Sequence, residues 1–230
     1  RIHDPAVTTV VVEFNDIEAV ERALARGDIA CVLAEPVMTN AGMVLPLPGY
    51  LDALRAACTR HDVLLAIDET HTLSSGPGGY ARLHGLAADF IVCGKAIAGG
   101  VPCAVYGYSD AVAQRLRVAD AKRESGHSGI GTTLAANPLA IAALAASLAH
   151  LHTPATYRLM EQRAAQLATG IEAALQRHRV PWQVSRVGAR LEFGPAPAPR
   201  TGKQSVDSID HALEGALHLY LLNRGFLLTP

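Results

Sequence analysis

An acidic pair and a lysine follow two strongly apolar runs of this sequence. Asp68 and Glu69 come directly after the run 63–67, and Lys95 follows the run 90–93 after a single glycine. Open α/β sheets bind their ligands beyond the carboxyl ends of the strands. A charge at such a place is costly to desolvate unless it meets a partner. An acid and a lysine 27 residues apart can therefore face one crevice, and two solvated loop charges are the alternative.

An amine and a carboxylate are the groups that pyridoxal 5′-phosphate (PLP) chemistry requires. A lysine amine forms a Schiff base with the cofactor aldehyde, and a carboxylate keeps the pyridine nitrogen protonated. The protonated ring then withdraws electrons from the substrate Cα. A lysine that is partly desolvated beside a cation has a lowered pKa, so its neutral form becomes accessible as a base. Asp68 and Lys95 have the residue types for this chemistry.

Short apolar runs alternate with helical patterns in the first part of the chain, up to about residue 150. The runs predict strands at 9–14, 29–34, 63–67, 90–93 and 104–108. The intervening segments predict helices that begin at Asn15 or Asp16, at Pro48 and at Asp110. Strands that are apolar throughout and separated by helices predict an α/β fold, with a mostly parallel sheet and helices on both faces.

The second part of the sequence has a different pattern. Helices are predicted at 137–151, at 154–178 behind the capping residue Thr153, and at 208–224. Two short strands are expected between 182 and 193, followed by a proline-rich loop at 194–204. We therefore predict a partial large domain at 1–150 and part of a smaller α+β domain at 151–230.

Composition narrows the possible binding partners and classes of protein. The 230 residues are half hydrophobic with a formal net charge of −1, so neither nucleic acid nor a membrane is expected as a partner. The four cysteines lie in apolar stretches without a C-x-x-C pair, which predicts buried, reduced thiols in a cytoplasmic protein. The ten histidines lack metal-ligand spacing, and no metal is expected. Both ends of the sequence suggest a fragment of a longer polypeptide.

Four sequence blocks resemble the class III aminotransferases, which are PLP enzymes, and most closely their glutamate-1-semialdehyde aminomutase-like branch. The blocks are LAEPVMTNAGMVLPLPGYL (33–51), LLAIDET (64–70), FIVCGKAIAGGVPCAVYG (90–107) and GTTLAANPLAIAAL (131–144). Their order and spacing match the family over about residues 9–150. The resemblance implies the fold of the PLP-dependent transferases.

The resemblance also implies roles for individual residues. Lys95 would be the Schiff-base lysine, and Asp68 would bind the pyridine nitrogen. Thr70 stands where the family usually has a valine on the ring face, and Asn40 matches a polar residue near the cofactor phenol oxygen. Thr133 would reach the phosphate of the neighbouring subunit's cofactor, which implies a homodimer with shared active sites. Thr132 and Ala136 replace two glycines of this last block, so its loop geometry departs from the family.

Transamination is the predicted reaction, with a small-molecule amino donor and a carbonyl acceptor. An incoming amine displaces Lys95, which then removes the Cα proton and redelivers it. A 2,1-aminomutase, which returns the amine to a neighbouring carbon, is the alternative. A nicotinamide dehydrogenase is suggested weakly by the glycines at 129 and 131, but a third glycine and a preceding strand are missing. A degenerate or truncated binding module is the non-enzymatic alternative.

Several residues near these blocks have two interpretations each. Glu35 and Glu69 are supporting or structural acids, with a structural role favoured for Glu35, and His71 either approaches the site or packs at the surface. The remaining uncertain positions are His127 and Ser128, before the phosphate threonine, and a glycine turn expected to approach a partner, Gly76, Gly78 and Gly79. The family's phosphate-binding turn and ring-stacking aromatic residue would lie upstream of Arg1.

Overall fold

The computed structural model describes residues 4–40, 42–122 and 134–228. Its main sheet contains β1 (Cys31–Ala34), β2 (Leu64–Asp68), β3 (Phe90–Cys93) and β4 (Val105–Tyr108), in that spatial order. The first three strands run parallel, whereas β4 pairs antiparallel with β3. A separate antiparallel hairpin is formed by β5 (Trp182–Val187) and β6 (Arg190–Pro195).

Helices occupy most of the sequence between these strands. In chain order they are α1 (Pro5–Thr8), α2 (Ile17–Leu24), α3 (Tyr50–Arg60), α4 (Gly79–His84), α5 (Asp110–Asp120), α6 (Pro138–His150), α7 (Pro154–His178), α8 (Gly202–Asp207) and α9 (His211–Leu222). Two short 3-10 helices, Thr72–Ser75 and Lys95–Ala98, follow β2 and β3. The predicted α/β class, a mostly parallel sheet flanked by helices, is confirmed.

Two of the predicted helix starts are set by side-chain caps, whereas α3 begins at Tyr50 rather than at the predicted Pro48 and has no side-chain cap. Asp16 accepts a hydrogen bond from the backbone N–H of Ala19 at 2.8 Å and begins α2. Thr153 accepts from the N–H of Thr156 at 3.2 Å and begins α7. Each cap satisfies a backbone donor that has no partner within the helix.

The core lies between the parallel strands and the first long helices. Leu65 and Ile67 of β2 are completely buried. They pack in one cluster with Leu24 of α2 and Leu54 of α3. Each such side chain contributes roughly 1.5–3 kcal/mol when fully buried. Packing in this cluster fixes the position of β2, and therefore the position at which the residues after its carboxyl end begin.

The predicted strand at 9–14 is wrong. Residues 9–13 have no regular secondary structure, and the side chain of Val11 is 90% exposed. The carboxylate of Glu13 accepts hydrogen bonds from the N–H groups of Gly202 at 2.7 Å and Lys203 at 3.2 Å. A strand needs a neighbouring backbone, and no described strand pairs with this segment. Side chains hold it in place instead.

Two further expectations need correction. The loop predicted at 194–204 ends in a helix, because Thr201 accepts a hydrogen bond from the N–H of Gln204 at 3.1 Å and begins α8. The last helix starts at His211 rather than Ser208, since Asp210 is its cap. The predicted boundary near residue 150 stays a prediction.

The four cysteines are free, but they are not all buried as predicted. Cys58 is buried and Cys31 is exposed, while Cys93 and Cys103 are half-buried. Cys31 belongs to β1, which has only β2 as a neighbour among the described strands. Across the described ranges no single helix is both long and apolar enough to cross a membrane, although the consecutive helices α6 and α7, bent by 77°, pass that test as a pair.

Candidate active site

Asp68 and Lys95 lie at the same edge of the sheet. Asp68 is the last residue of β2, and its Cα is in register with Val92 of the adjacent parallel strand β3. Lys95 comes three residues after Val92, just beyond the end of β3. The N–H of Glu69 donates to the carbonyl of Val92 at 2.8 Å, which ties the two strand ends together. Adjacent parallel strands thus bring the predicted acid and amine to one edge.

The backbone of Lys95 has a conformation that non-glycine residues rarely adopt. Its φ is +52°, in the left-handed region, and it is the first residue of the 3-10 helix Lys95–Ala98. Such a residue costs on the order of 1–3 kcal/mol and persists only where the surrounding structure enforces it. Residues of this kind concentrate at active sites and ligand clamps. The side chain of Lys95 is exposed at this edge.

His71 joins the lysine to the acidic strand end. The Nζ atom of Lys95 contacts Nε2 of His71 within hydrogen-bonding distance. Burial lowers the pKa of His71, and the positive charges of Lys95 and Arg190 lower it further. The carboxylates of Glu35 and Asp68 act in the opposite direction without reversing the shift. His71 is therefore neutral at neutral pH and is surrounded by charged groups from several elements.

Asp68 has one carboxylate oxygen available for a ligand. Its Oδ1 accepts a hydrogen bond from the backbone N–H of Thr70 at 2.8 Å. Among the described residues, none donates a hydrogen bond to the second oxygen. The Oγ1 atom of Thr70 lies 3.6 Å from the place that a Cβ at Gly94 would take. Thr70 thus packs beside the glycine before the lysine, and its role on a ring face stays a prediction.

Glu69 is a structural residue, which settles one of the two interpretations of the sequence. Its side chain is 1% exposed. It accepts hydrogen bonds from Thr72 Oγ1 at 2.5 Å, from the N–H of Tyr80 at 3.0 Å and from the N–H of Ala81 at 2.5 Å. Gly79 has a φ of +74°, and a Cβ there would lie 2.7 Å from Glu69 Oε2. The predicted glycine turn therefore makes room for this carboxylate.

Glu35, Thr39 and Asn40 form a polar cluster after β1. The carboxylate of Glu35 accepts hydrogen bonds from Thr39 Oγ1 and, at 3.2 Å, from Asn40 Nδ2. These bonds support the structural role favoured for Glu35. Asn40 is exposed, so its amide can also reach a ligand. The cluster extends the same carboxyl edge of the sheet from β2 to β1, and the predicted contact of Asn40 with a cofactor stays a prediction.

Arg190, which the sequence does not predict as a site residue, reaches this edge from the hairpin. Its Nη2 donates to the carbonyl of Thr39 at 3.0 Å and to Glu192 Oε1 at 2.7 Å. Its Nε is buried and has no hydrogen-bond partner in the described part of the chain. Because 151 residues separate Arg190 from Thr39, no local pattern in the sequence could have paired them.

Some predicted positions cannot be placed. Thr133, His127, Ser128 and the glycines at 129 and 131 lie outside the described residues. The phosphate contact predicted for Thr133 therefore stays a prediction. No group of three or more His, Cys, Asp or Glu residues in the described ranges is arranged to hold a metal ion.

Comparison with known proteins gives the family of this chain. A family model described as aminotransferase class-III matches residues 5–210. A glutamate-1-semialdehyde 2,1-aminomutase from Myxococcus xanthus (strain DK1622) is 36% identical over 228 residues, which is 98% of this chain and 52% of that relative. The chain thus spans about half the length of the curated relatives it matches.

Solved structures agree in fold. A glutamate-1-semialdehyde-aminomutase from Pseudomonas aeruginosa PAO1 superposes with a TM-score of 0.93 at 51% identity, over 98% of this chain and 51% of that one. A lysine-to-alanine variant of such an enzyme from the same organism was solved in complex with PMP. A β-phenylalanine aminotransferase from Variovorax paradoxus gives a TM-score of 0.84 at 26% identity, over 96% of this chain and 51% of that one. The chain belongs to the class-III aminotransferase family.

Proposed function

We propose that this protein binds PLP through Lys95 and transfers an amino group between an amino acid or amine and a keto acid or aldehyde. The observation that carries the proposal is the strained Lys95 at the end of β3, beside Asp68 at the end of β2. These groups suit the cofactor, because an exposed primary amine lies near a carboxylate with an oxygen that accepts no hydrogen bond from the described residues.

Each residue of the site has a defined task in this proposal. The bound cofactor supplies an electron sink for the carbanion at the substrate Cα. Lys95 would hold the cofactor and would carry the Cα proton on Nζ before returning it. Asp68 would bind the pyridine nitrogen, Thr70 would pack on the ring face and Asn40 would lie near the phenol oxygen. Proton transfer by a positioned base contributes roughly 10²–10⁴-fold.

The matched relatives favour an intramolecular version of this reaction as a second candidate. Curated relatives at 32–36% identity are named glutamate-1-semialdehyde 2,1-aminomutase. A β-phenylalanine aminotransferase and an ω-transaminase are also structurally similar. Incubation with an amino donor and a separate keto acid separates the two reactions. A transaminase forms two exchanged products, whereas an aminomutase isomerises one substrate without a second carbonyl compound.

The cofactor lysine can be identified directly. The chain should be produced with whatever flanking sequence its gene encodes, loaded with PLP and reduced with borohydride before peptide mapping. We expect the reduced cofactor on Lys95, and neither a Schiff-base absorbance band nor a cofactor-labelled peptide in Lys95→Ala. Lys203→Ala is the matched control, since Lys203 is exposed and pairs with Asp207 at 2.8 Å. A Lys95→Ala protein that keeps the Schiff-base band would contradict the proposal.

A homodimer with shared active sites is part of the same proposal, as is a cytoplasmic location. The dimer rests on the family resemblance, through the role of Thr133 at the neighbouring subunit's cofactor, and the location rests on the four free cysteines. Sedimentation of the PLP-loaded protein tests the first, because a monomer that retains full activity would exclude shared sites. Cell fractionation tests the second, and recovery outside the cytoplasm would exclude it.

A further inference from the structure

His71 stands next to the cofactor lysine, and the proposed reaction gives it no task. It follows the acid pair by two positions, at the carboxyl end of β2. Its Nε2 contacts Lys95 Nζ, and the two residues come from adjacent strand ends. The contact therefore links the amine to the strand end that carries Asp68.

The surroundings of His71 keep it uncharged at neutral pH. Burial is the largest cause of its lowered pKa, followed by the positive charges of Lys95 and Arg190. Glu35 and Asp68 are the negative groups that face it. A neutral imidazole has one nitrogen that accepts a hydrogen bond, and an ammonium group can only donate. Lys95 must therefore be the donor and His71 Nε2 the acceptor in the contact when the lysine is protonated.

We propose that His71 is a positioning residue that accepts a hydrogen bond from the Lys95 amine whenever that amine is not bonded to the cofactor. The inference rests on the proposed function and adds a step to it. Lys95 leaves the cofactor when substrate arrives, and a four-carbon side chain then has many rotamers. His71 holds Nζ at the edge beside Asp68. The Cα proton stays on Lys95 until it is returned, and His71 gains no net proton.

The hydrogen bond also restrains the free amine. While Nζ is held at His71 Nε2, it has fewer orientations in which to meet a reagent from solvent. Removing the acceptor without changing the size of the side chain should release Nζ to such a reagent. This effect does not depend on catalysis, so it can be measured in the absence of the cofactor.

A matched pair of variants tests the proposal. His71→Gln keeps an acceptor at a similar reach, whereas His71→Met has nearly the same length without a strong acceptor. Competitive acetylation of cofactor-free protein, carried out at one neutral pH and read by mass spectrometry, reports how open the Lys95 amine is to a reagent. We expect Lys95 in His71→Met to react roughly threefold to tenfold faster than in the native protein at neutral pH. His71→Gln should restore the native rate.

Controls separate this inference from the proposed function. The same substitutions at His211, whose side chain is 87% exposed, should leave the rate unchanged. Equal Lys95 reactivity in the native protein and both His71 variants, or a slower rate in His71→Met, overturns the proposal. If His71→Met does not fold, His71→Leu takes its place, since it has no hydrogen-bond acceptor. Protection of Lys95 by added PLP in the native protein supports the proposed function whatever the variants show.

Discussion

Asp68 and Glu69 are adjacent acids with opposite tasks, and substituting each by its amide should separate chemistry from stability. Asp68 offers a free carboxylate oxygen at the open edge of the sheet. Glu69 is buried and accepts three hydrogen bonds from within the fold. We expect Asp68→Asn to lose activity and keep stability, and Glu69→Gln to lose stability first.

The hydrogen bonds of Glu69 determine how much Glu69→Gln should lower the free energy of unfolding. Oε2 accepts from Thr72 and Tyr80, while Oε1 accepts from Ala81. An amide has only one accepting oxygen, so its NH₂ group must face at least one buried N–H. An unsatisfied buried donor costs about 1–3 kcal/mol, and the remaining bonds weaken because they lose a charged acceptor. The total is about 2–4 kcal/mol.

Asp68→Asn should reduce activity rather than the free energy of unfolding. The amide oxygen of the new side chain can still accept from the N–H of Thr70, so the turn after β2 keeps its hydrogen bond. The lost charge removes the partner that a ligand with a positive N–H group would have at this edge. We expect PLP-dependent activity to fall by roughly 10²-fold or more, with a change below about 1 kcal/mol in the free energy of unfolding.

Native-state hydrogen exchange measures the structural effect at individual amides. In Glu69→Gln, exchange at Tyr80 and Ala81 should quicken roughly 30- to 700-fold, which corresponds to 2–4 kcal/mol. In Asp68→Asn, the same amides should exchange at the native rate. The reasoning is refuted if both variants lose stability equally, or if Glu69→Gln leaves these amides protected.

Three more outcomes follow from buried or strained positions. Asp89 pairs with Arg55 at 2.7 Å, and although burial opposes it, this pair and a backbone N–H lower the pKa of Asp89. Ionised Asp89 therefore stabilises the folded state at pH values above its pKa in the unfolded chain, and this stabilisation is lost as the pH falls through its lower pKa in the folded state. The free energy of unfolding should depend less steeply on pH in the acid range in Arg55→Met than in the native protein. Burial and nearby carboxylates raise the pKa of Cys93 to about 11, so iodoacetamide at about pH 8 should alkylate it roughly 100-fold more slowly than a peptide cysteine. Gly79→Ala should lower the free energy of unfolding by at least about 1 kcal/mol more than Gly85→Ala; both have positive φ, but only the first would press against a carboxylate.

The location of the site could be predicted from the sequence because it depends on local patterns. An apolar run that ends in a charge marks a strand end, and parallel neighbours place their carboxyl ends at one edge. Asp68 and Lys95 satisfy both conditions, and the register of β2 with β3 brings them to that edge. The caps of α2 and α7 were predicted for the same reason, since Asp16 and Thr153 act on residues three positions away.

Features that depend on distant residues could not be predicted. The apolar, β-branched run at 9–14 is typical of a strand, but only a neighbouring backbone makes one, and Glu13 binds the start of α8 instead. The orientation of Glu69 depends on the turn at Gly79. The sequence shows this turn, but it does not show that the turn packs against the carboxylate of Glu69. Arg190 reaches Thr39 only through the docking of the hairpin.

The strain at Lys95 is explained by the residues that follow it. Ile97 and Ala98, in the same 3-10 helix, are each only 2% exposed, and α6 packs against this helix. Burial of these two side chains fixes the backbone of the turn, so the left-handed conformation of Lys95 is enforced by packing on its C-terminal side. The lysine side chain is exposed and contacts His71. A fixed backbone with a movable amine is what a lysine needs if it is to bind a cofactor, release it and return to the same place.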